Sequence, residues 1–417
     1  MIKFSYFLTE DVDGKNLHLE HLEDEIINFG IGGARGAVNF LRSLRDMMAG
    51  SSRSSVNMTV KWDGAPAIFA GTDPSDGKFF VAKKSVFNKS PLLYKSSQEI
   101  DGDARLPSSL KSKFKIALSE FSKLGIKGVL QGDLMFTNSD LETDRIDGET
   151  YTTFQPNTIV YAIPKGTVLE KRIRQAKIGV VWHTTYSGRN LESMKASFGA
   201  NINSLRKSNS IWMDDASYRD ASGIATFTKT ETTAITAKLS EVGKQFQKIN
   251  SSELTKFLNI QNSFTGKYVG ASIKTFNNSK VRVGAEIKNP AQHAKEYLKW
   301  VEEKFDKEKD KVKTDATKQK IETKKVESIR ELNKLTGLLT NVIIFQNLLV
   351  SAKMDIVRKL NKVKQLTNTF VRTSNGFKVT NAEGYVAIDR VSGNAVKLVD
   401  RMEFSFNNFT AIKAWDR

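Results

Sequence analysis

The apolar positions change period along this chain, and the changes mark out its parts. Between about residues 18 and 50 they recur at helical spacing. One run, over 19–29, ends at Gly30, a residue that commonly terminates helices. A second places Val38, Leu41, Leu44 and Met48 on one face. The link Gly30-Ile31-Gly32-Gly33-Ala34-Arg35-Gly36 follows a helix pattern, whereas a dinucleotide-binding loop needs a preceding strand, so it reads as a helix–helix turn. From Ser55 to about Tyr186 the pattern shifts to short β-rich runs. Strands are predicted over 56–60, 67–70, 78–82, 128–131, 158–163 and 178–184, with turn residues Asp73-Pro74-Ser75-Asp76-Gly77 between two of them. An amphipathic helix is predicted over 109–124. From about 190 to 371 the chain reads as mainly helical, with weak strand signals at 267–275 and 280–287. Within it, Val326, Ile329, Leu332, Leu335, Leu339 and Val342 form an apolar stripe suited to packing. Past Gly376 short strands return, over 384–388, 395–399 and 402–406. The expectation is an α+β protein in four stretches: an N-terminal helical segment (1–50), a β-rich core (51–190), a mainly helical insertion (191–370) and closing strands of the core (371–417).

Charge adds a partner class. Lys and Arg number 64 against 46 Asp and Glu, a formal net charge of +18, which favours a polyanion and puts nucleic acid first. The dense mixed charges over 302–325 read as a solvated helix face. Cysteine is absent, which excludes disulfides, thiolate catalysis and cysteine-based zinc sites and fits a reducing compartment. The first residues carry no long apolar stretch of the secretory kind, and the longest apolar run, 342–350, is broken by Gln346 and Asn347 and is too short to cross a bilayer. No membrane partner and a cytoplasmic setting are therefore expected. His18 and His21, three apart beside Glu20 and Glu23, read as a surface face rather than a zinc site. His183, in an apolar strand, reads as a core or groove histidine, and Trp62 as a core residue on the opposite side of its strand from Lys61.

Four short motifs fall at or within predicted strands, in this order: Val60-Lys61-Trp62-Asp63-Gly64, Leu130-Gln131-Gly132-Asp133-Leu134, Ala382-Glu383-Gly384-Tyr385-Val386 and Val396-Lys397-Leu398-Val399-Asp400-Arg401. Together they suit attack by an amine on a nucleoside triphosphate. A lysine is nucleophilic only when neutral, and desolvation or a nearby cation lowers its pKa. Asp133 and Glu383 can hold a ribose or Mg²⁺, which usually takes one or two carboxylates plus phosphate oxygens. Lys397 can neutralise phosphate charge, and Gly64 would let backbone approach a nucleotide closely.

This order, KxDG, a GD-L strand, EGxV and a lysine-bearing strand, resembles the covalent nucleotidyltransferases: ATP-dependent DNA ligases, RNA ligases and mRNA capping enzymes. The resemblance covers roughly 50–190 and 371–417. It implies a core of antiparallel sheets with flanking helices, ATP and Mg²⁺ as cofactors, and a lysyl-AMP intermediate. It makes Lys61 the nucleophile, Asp133 a ribose or metal contact, Glu383 a metal ligand and Lys397 an α-phosphate contact. Asp63, Gly64 and Arg401 join the nucleotide-binding set with their motifs. Lys84, in Lys83-Lys84-Ser85, lies where the family has an Arg-containing motif, and Tyr161 matches the aromatic residue that stacks on the base.

The chain also departs from the family. Gly64 is followed by Ala65-Pro66 rather than Arg, the Lys84 motif has no Arg, and the interval from Asp133 to Glu383 is far longer than usual. Too few residues follow Lys397 for a C-terminal OB fold, which tilts the expectation from DNA towards RNA ends. The insertion would then supply nucleic-acid or protein contacts. The alternative is a structural or DNA-associated protein that keeps the fold without the activity. The wider sequence, including His18-Leu19-Glu20-His21-Leu22-Glu23-Asp24 and Trp182-His183-Thr184-Thr185-Tyr186, is similar to an uncharacterised family of large tailed bacteriophages, which implies host cytoplasm or the virion as the setting.

Overall fold

A computed structural model describes residues 21–50, 56–88, 90–217, 225–363, 367–373, 376–381, 383–389, 395–407 and 411. The histidine pair cannot be placed as a pair, since His18 lies outside these residues, as does Ala382 of the third motif. The architecture is mixed α+β, with three sheets that are antiparallel apart from one parallel pairing, and one large helical cluster.

The smallest sheet carries the first motif. Val56–Lys61 pairs antiparallel with Gly384–Asp389, which pairs antiparallel with Ala395–Leu398. Lys61 stands opposite Gly384, while Thr59, Val386 and Lys397 are cross-strand neighbours. Strand residues alternate sides, so Thr59, Lys61, Val386 and Lys397 share one face. The other face, with Val60, Tyr385, Ala387, Val396 and Leu398, is apolar and packs on the helical cluster.

The second sheet has seven strands. Its path runs Lys195–Phe198, Ile178–Ser187, Val129–Thr137, Ala67–Thr72, Phe79–Ala82, Leu93–Tyr94, with Ile211–Asp214 added in parallel to Ile178–Ser187. One side, with Leu130, Leu134, Val180 and Trp182, packs on Phe114, Ala117 and Phe121 of the helix Ser108–Phe121. Asp133, Val181 and His183 point the other way by alternation. The third sheet orders Gly376–Val379, Asn368–Thr373, Ile159–Pro164, Glu149–Phe154, Glu142–Ile146. Its last two strands form a hairpin over Asp147-Gly148, both at positive φ (48° and 86°), the conformation that an Asp-Gly turn favours.

The helical cluster joins both ends of the chain's helical pattern. Helix Glu25–Met48 packs with Lys229–Phe246, Ser251–Asn262 and Thr336–Leu360. Gly30, at φ +59°, breaks that first helix where the sequence predicts a terminator, but the following glycines are already helical. Thr336–Leu360 is long and apolar enough to cross a membrane, more than its apolar run over 342–350 implies. It lies inside this cluster, with Leu339, Val342, Ile343, Leu349, Ile356 and Val357 buried.

Several expectations are corrected. The strand signals at 267–275 and 280–287 are a 3-10 helix, Gly266–Ala271, and a helix, Ile273–Arg282. The segment 402–406 is not a strand: Arg401–Ser405 forms a π turn. The start of the expected insertion is also misplaced, because Lys195–Phe198 and Ile211–Asp214 are strands of the seven-stranded sheet and the long helices begin with Lys229–Phe246. Short strands at an insertion boundary carry too little periodicity to separate from loops.

Candidate active site around Lys61

The Lys61 face of the three-stranded sheet meets the Asp133 face of the seven-stranded sheet. A cavity of 150 Å³ lies between them, lined among others by Thr59, Lys61, Trp62 and Val386 from one side and Asp133 and His183 from the other. The Lys61 ammonium is hydrogen-bonded and ion-paired to Glu383. Burial pulls its pKa down, but the charges of Glu383, Asp133 and Asp63 outweigh burial and hold it above the ordinary lysine value. This reverses the expectation of a lowered pKa: in this state Lys61 is a protonated ammonium, because carboxylates rather than cations surround it.

The two acids behave in the opposite sense. Burial raises Glu383 to about 7, against the pull of Lys61 and with the repulsion of Asp63. Burial likewise raises Asp133 to about 7, again opposed by Lys61 and reinforced by Asp63. The site therefore holds a lysine and two carboxyl groups whose protonation changes near neutrality. Lys397 is close enough to draw Glu383 back down, so the lysines and acids of all four motifs converge. Lys61 and Glu383 are 322 residues apart in sequence, and the pairing of Val56–Lys61 with Gly384–Asp389 brings them together.

The rest of the first motif is structural. Asp63, 4% exposed, accepts three hydrogen bonds: from Asn157 Nδ2 (2.7 Å), Thr158 N (2.7 Å) and Ile159 N (2.8 Å). Its own N–H donates to the Tyr161 hydroxyl at 2.7 Å. The buried carboxylate thus clamps the Lys61 loop to the third sheet, which gives Asp63 a positioning role where the sequence suggested a nucleotide contact. Tyr161 is likewise no open platform for a base. It is 2% exposed and its ring stacks on Trp62 (5.1 Å between centroids) and Phe154 (5.4 Å). Trp62 is buried, as its alternation implies. Gly64 serves close packing against protein rather than against a nucleotide: a Cβ there would lie 2.3 Å from Asp133 Cβ and 3.0 Å from Met135 Sδ. Backbone bonds from Ala65 N to Leu134 O and from Leu134 N to Pro66 O, both 3.1 Å, fix the same junction.

Arg401 is diverted elsewhere. Its guanidinium donates to Asp24 (3.1 Å) and Asn278 (2.5 Å), tying the last motif to the helical cluster rather than to the Lys61 cavity. Lys84 is exposed in the short 3-10 helix Lys84–Phe87 and does not line the cavity. Register still places it at the right end of the sheet. Ala82 stands opposite Phe69, and Ala67 opposite Asp133, so the chain leaves the sheet near the level of Asp133.

Of the two placements that its apolar strand allows, core or groove, His183 takes the groove. Its Nε2 lies 3.8 Å from Asp133 Oδ2 and its Nδ1 is 2.9 Å from Thr184 Oγ1. Burial, then the charge of Lys61, lowers it to about 4, so it is neutral at physiological pH. Its alternation with Val181 on a strand facing Asp133 was the available signal.

Among the described residues no group of three or more His, Asp or Glu side chains is arranged to hold a metal. Of the three carboxyl groups that act on Lys61, Asp63 is held by the third sheet, which leaves Asp133 and Glu383 beside the amine.

A family model described as "Family of unknown function (DUF6267)" matches residues 16–413, and the chain belongs to that family. No curated protein and no solved structure matches it.

Proposed function

We propose that this protein is a ligase-like, ATP-dependent nucleotidyltransferase that holds AMP on Lys61 and acts on polynucleotide ends, RNA in preference to DNA. The observation that carries the reading is the junction itself: Lys61 and Asp133 line one cavity between two sheets, Glu383 is ion-paired to Lys61, Lys397 shares the Lys61 sheet face, and both acids have raised pKa values. In this reading Glu383 takes the proton of its ion-pair partner Lys61, which a carboxyl group titrating near neutrality is suited to do. The neutral Nζ attacks the α-phosphorus of ATP. The N–P bond forms as the bond from the α-phosphorus to the bridging oxygen breaks, and pyrophosphate leaves with the electron pair. Lys397, on the same sheet face as Lys61, offsets the negative charge that builds on the α-phosphate. Asp133 would hold Mg²⁺ with phosphate oxygens, joined by Glu383 once it has passed its proton to solvent, and the ion would supply charge neutralisation at the phosphates. Asp63, Gly64 and Tyr161 position the Lys61 loop without touching the nucleotide.

A second reading, a structural or DNA-associated protein with an inactive fold, is favoured by one observation. The 150 Å³ cavity is smaller than the roughly 300 Å³ of ordinary small-molecule sites. An active protein must therefore open this cleft to admit a nucleotide.

The test is self-labelling. Purified protein with α-labelled ATP and Mg²⁺ should retain label after denaturation and lose it on addition of pyrophosphate, and GTP should label less. Lys61→Ala should not label. Equal labelling of that variant would remove Lys61 from the reaction, and a folded protein that never labels would favour the inactive fold.

A further inference from the structure

A second, larger cavity lies directly behind the Lys61 site. It measures 520 Å³, within the range of binding sites for small molecules and single nucleotides. Three segments enclose it. Helix Val168–Gln175 contributes Arg172 and Gln175, spaced by three so that they share a face, while Ile173 turns inward to the core. The chain before the strand Ile211–Asp214 contributes Asn203, Lys207 and Asn209, and the strand itself forms the floor and ends in Asp214.

The wall of this cavity is preformed. Lys177 N donates to Ser210 O (2.8 Å) and Arg206 N to Leu124 O (2.9 Å), which fixes both ends of the segment that presents Lys207. Glu120, the buried acid beneath it, is occupied by Ser210 Oγ (2.6 Å) and Lys123 (2.7 Å), with Lys177 at 3.6 Å. Its charge is spent there and does not reach the cavity. On the far side of the helix Arg174 is held by Glu170 at 2.6 Å. Among the described residues Arg172 and Lys207 face the cavity as cations without a carboxylate partner, beside three carboxamides that can donate or accept and the single acid Asp214 at the end of the floor.

The floor also connects the two cavities. The Trp212 ring packs against Trp62, the residue after Lys61, with centroids 6.1 Å apart. Two residues past Asp214, Ala216 lines the Lys61 cavity, and its carbonyl accepts from Val60 N at 2.7 Å. A chain lying over residues 211–216 would therefore run from the basic cavity to the Lys61 amine.

We propose that the 520 Å³ cavity of Arg172 and Lys207 holds the phosphodiester backbone of the single polynucleotide strand whose end reacts at Lys61. This inference rests on the nucleotidyltransferase reading and moves the nucleic-acid contact from the helical insertion to the sheet core. The insertion suits that role less well, because Lys309, Lys311 and Lys325 are each held by carboxylates. Arg172 supplies a forked, two-point contact to a phosphate and Lys207 a point charge. Gln175, Asn203 and Asn209 bind sugar hydroxyls or base edges, and these contacts favour RNA through its extra hydroxyl.

The test uses the full chain and two end-phosphorylated single-stranded oligonucleotides, one RNA and one DNA. Binding is followed by fluorescence anisotropy across a salt series. The double reversal Arg172→Glu with Lys207→Glu should weaken binding at least about tenfold. It should also flatten the log–log salt dependence by about 1.4, since each lost single-strand phosphate contact removes about 0.7. The milder pair Arg172→Gln with Lys207→Gln should show the same trend, which separates lost charge from a damaged fold. A control reversal on the helical part, Lys307→Glu with Lys318→Glu, should leave affinity and slope unchanged. Unchanged binding by both cavity variants, or an equal loss in the control, overturns the proposal. Self-labelling with ATP is measured on the same samples. Binding loss in a protein that never labels would retain the groove and refute the ligase reading, whereas labelling with unchanged binding would do the reverse.

Discussion

Replacing Asp63 with Ala distinguishes a structural clamp from a nucleotide contact, because the two predict different losses. The Asp63 carboxylate accepts from Asn157 Nδ2, Thr158 N and Ile159 N at 2.7, 2.7 and 2.8 Å, and Thr158 and Ile159 are buried. Truncation leaves three donors without an acceptor. Hydrogen bonds to a charged group contribute about 1.5–3 kcal/mol each, so the gross loss is about 4–9 kcal/mol. Part of it is returned, since Asp63 repels Asp133 and Glu383 and its removal relieves both. A net destabilisation of about 3–5 kcal/mol is expected, in line with the removal of one partner from a buried charged network. Asp63→Asn keeps the shape and one acceptor oxygen and should lose about half as much. Urea unfolding followed by tryptophan fluorescence reads this directly, because Trp62 stacks on Tyr161 at the clamp. If Asp63→Ala unfolds within about 1 kcal/mol of the native protein while ATP labelling disappears, Asp63 touches the nucleotide and the clamp argument is wrong.

Three further outcomes are expected. Gly64→Ala places a Cβ 2.3 Å from Asp133 Cβ, so the loop or the strand must shift; overpacking of this kind costs about 1–3 kcal/mol, and thermal melting should show it together with loss of any Lys61 labelling. Arg401→Ala should destabilise by about 1.5–3 kcal/mol by removing a charged hydrogen bond from buried Asp24, yet the folded fraction should still label at Lys61; loss of labelling with unchanged stability would return Arg401 to the nucleotide site. Asp133 and Glu383 titrate near 7 in the folded protein and near 4 when unfolded, so the folded state binds more protons in that window. Their contribution to stability is therefore present below about pH 4 and lost as pH rises towards about 7; Asp133→Asn and Glu383→Gln should each lessen the fall in urea midpoint over that interval, and an identical fall in both variants would contradict the raised values.

Much of the local structure was legible from period alone. The strands around Lys61, Asp133 and Lys397, the helix Ser108–Phe121 and the break at Gly30 follow from alternation, helical spacing and a glycine in left-handed conformation. The Asp147-Gly148 hairpin was equally readable but carried no strand expectation, because its first strand, Glu142–Ile146, is polar and largely exposed. The strand signals at 267–275 and 280–287 failed because Ile273 and Val281 are buried at helical spacing beside the neighbouring helix Pro290–Asp310, while Val269 and Val283 stay exposed, and packing overrides propensity.

The sequence by itself determined which residues could share a face: Lys61 with Thr59, Asp133 apart from Leu134, Trp62 turned away from Lys61. It could not say which faces would meet. The tertiary structure decided that Glu383 would reach Lys61, that Asp63, Gly64 and Tyr161 would be absorbed in packing, and that Arg401 would be drawn to Asp24. The reason is physical. Alternation and helical period are set by backbone geometry over a few residues, so a local pattern contains them. The partner of a buried charge is set by closing a chain of 322 residues between Lys61 and Glu383, and that choice depends on which apolar faces bury each other best across the whole molecule.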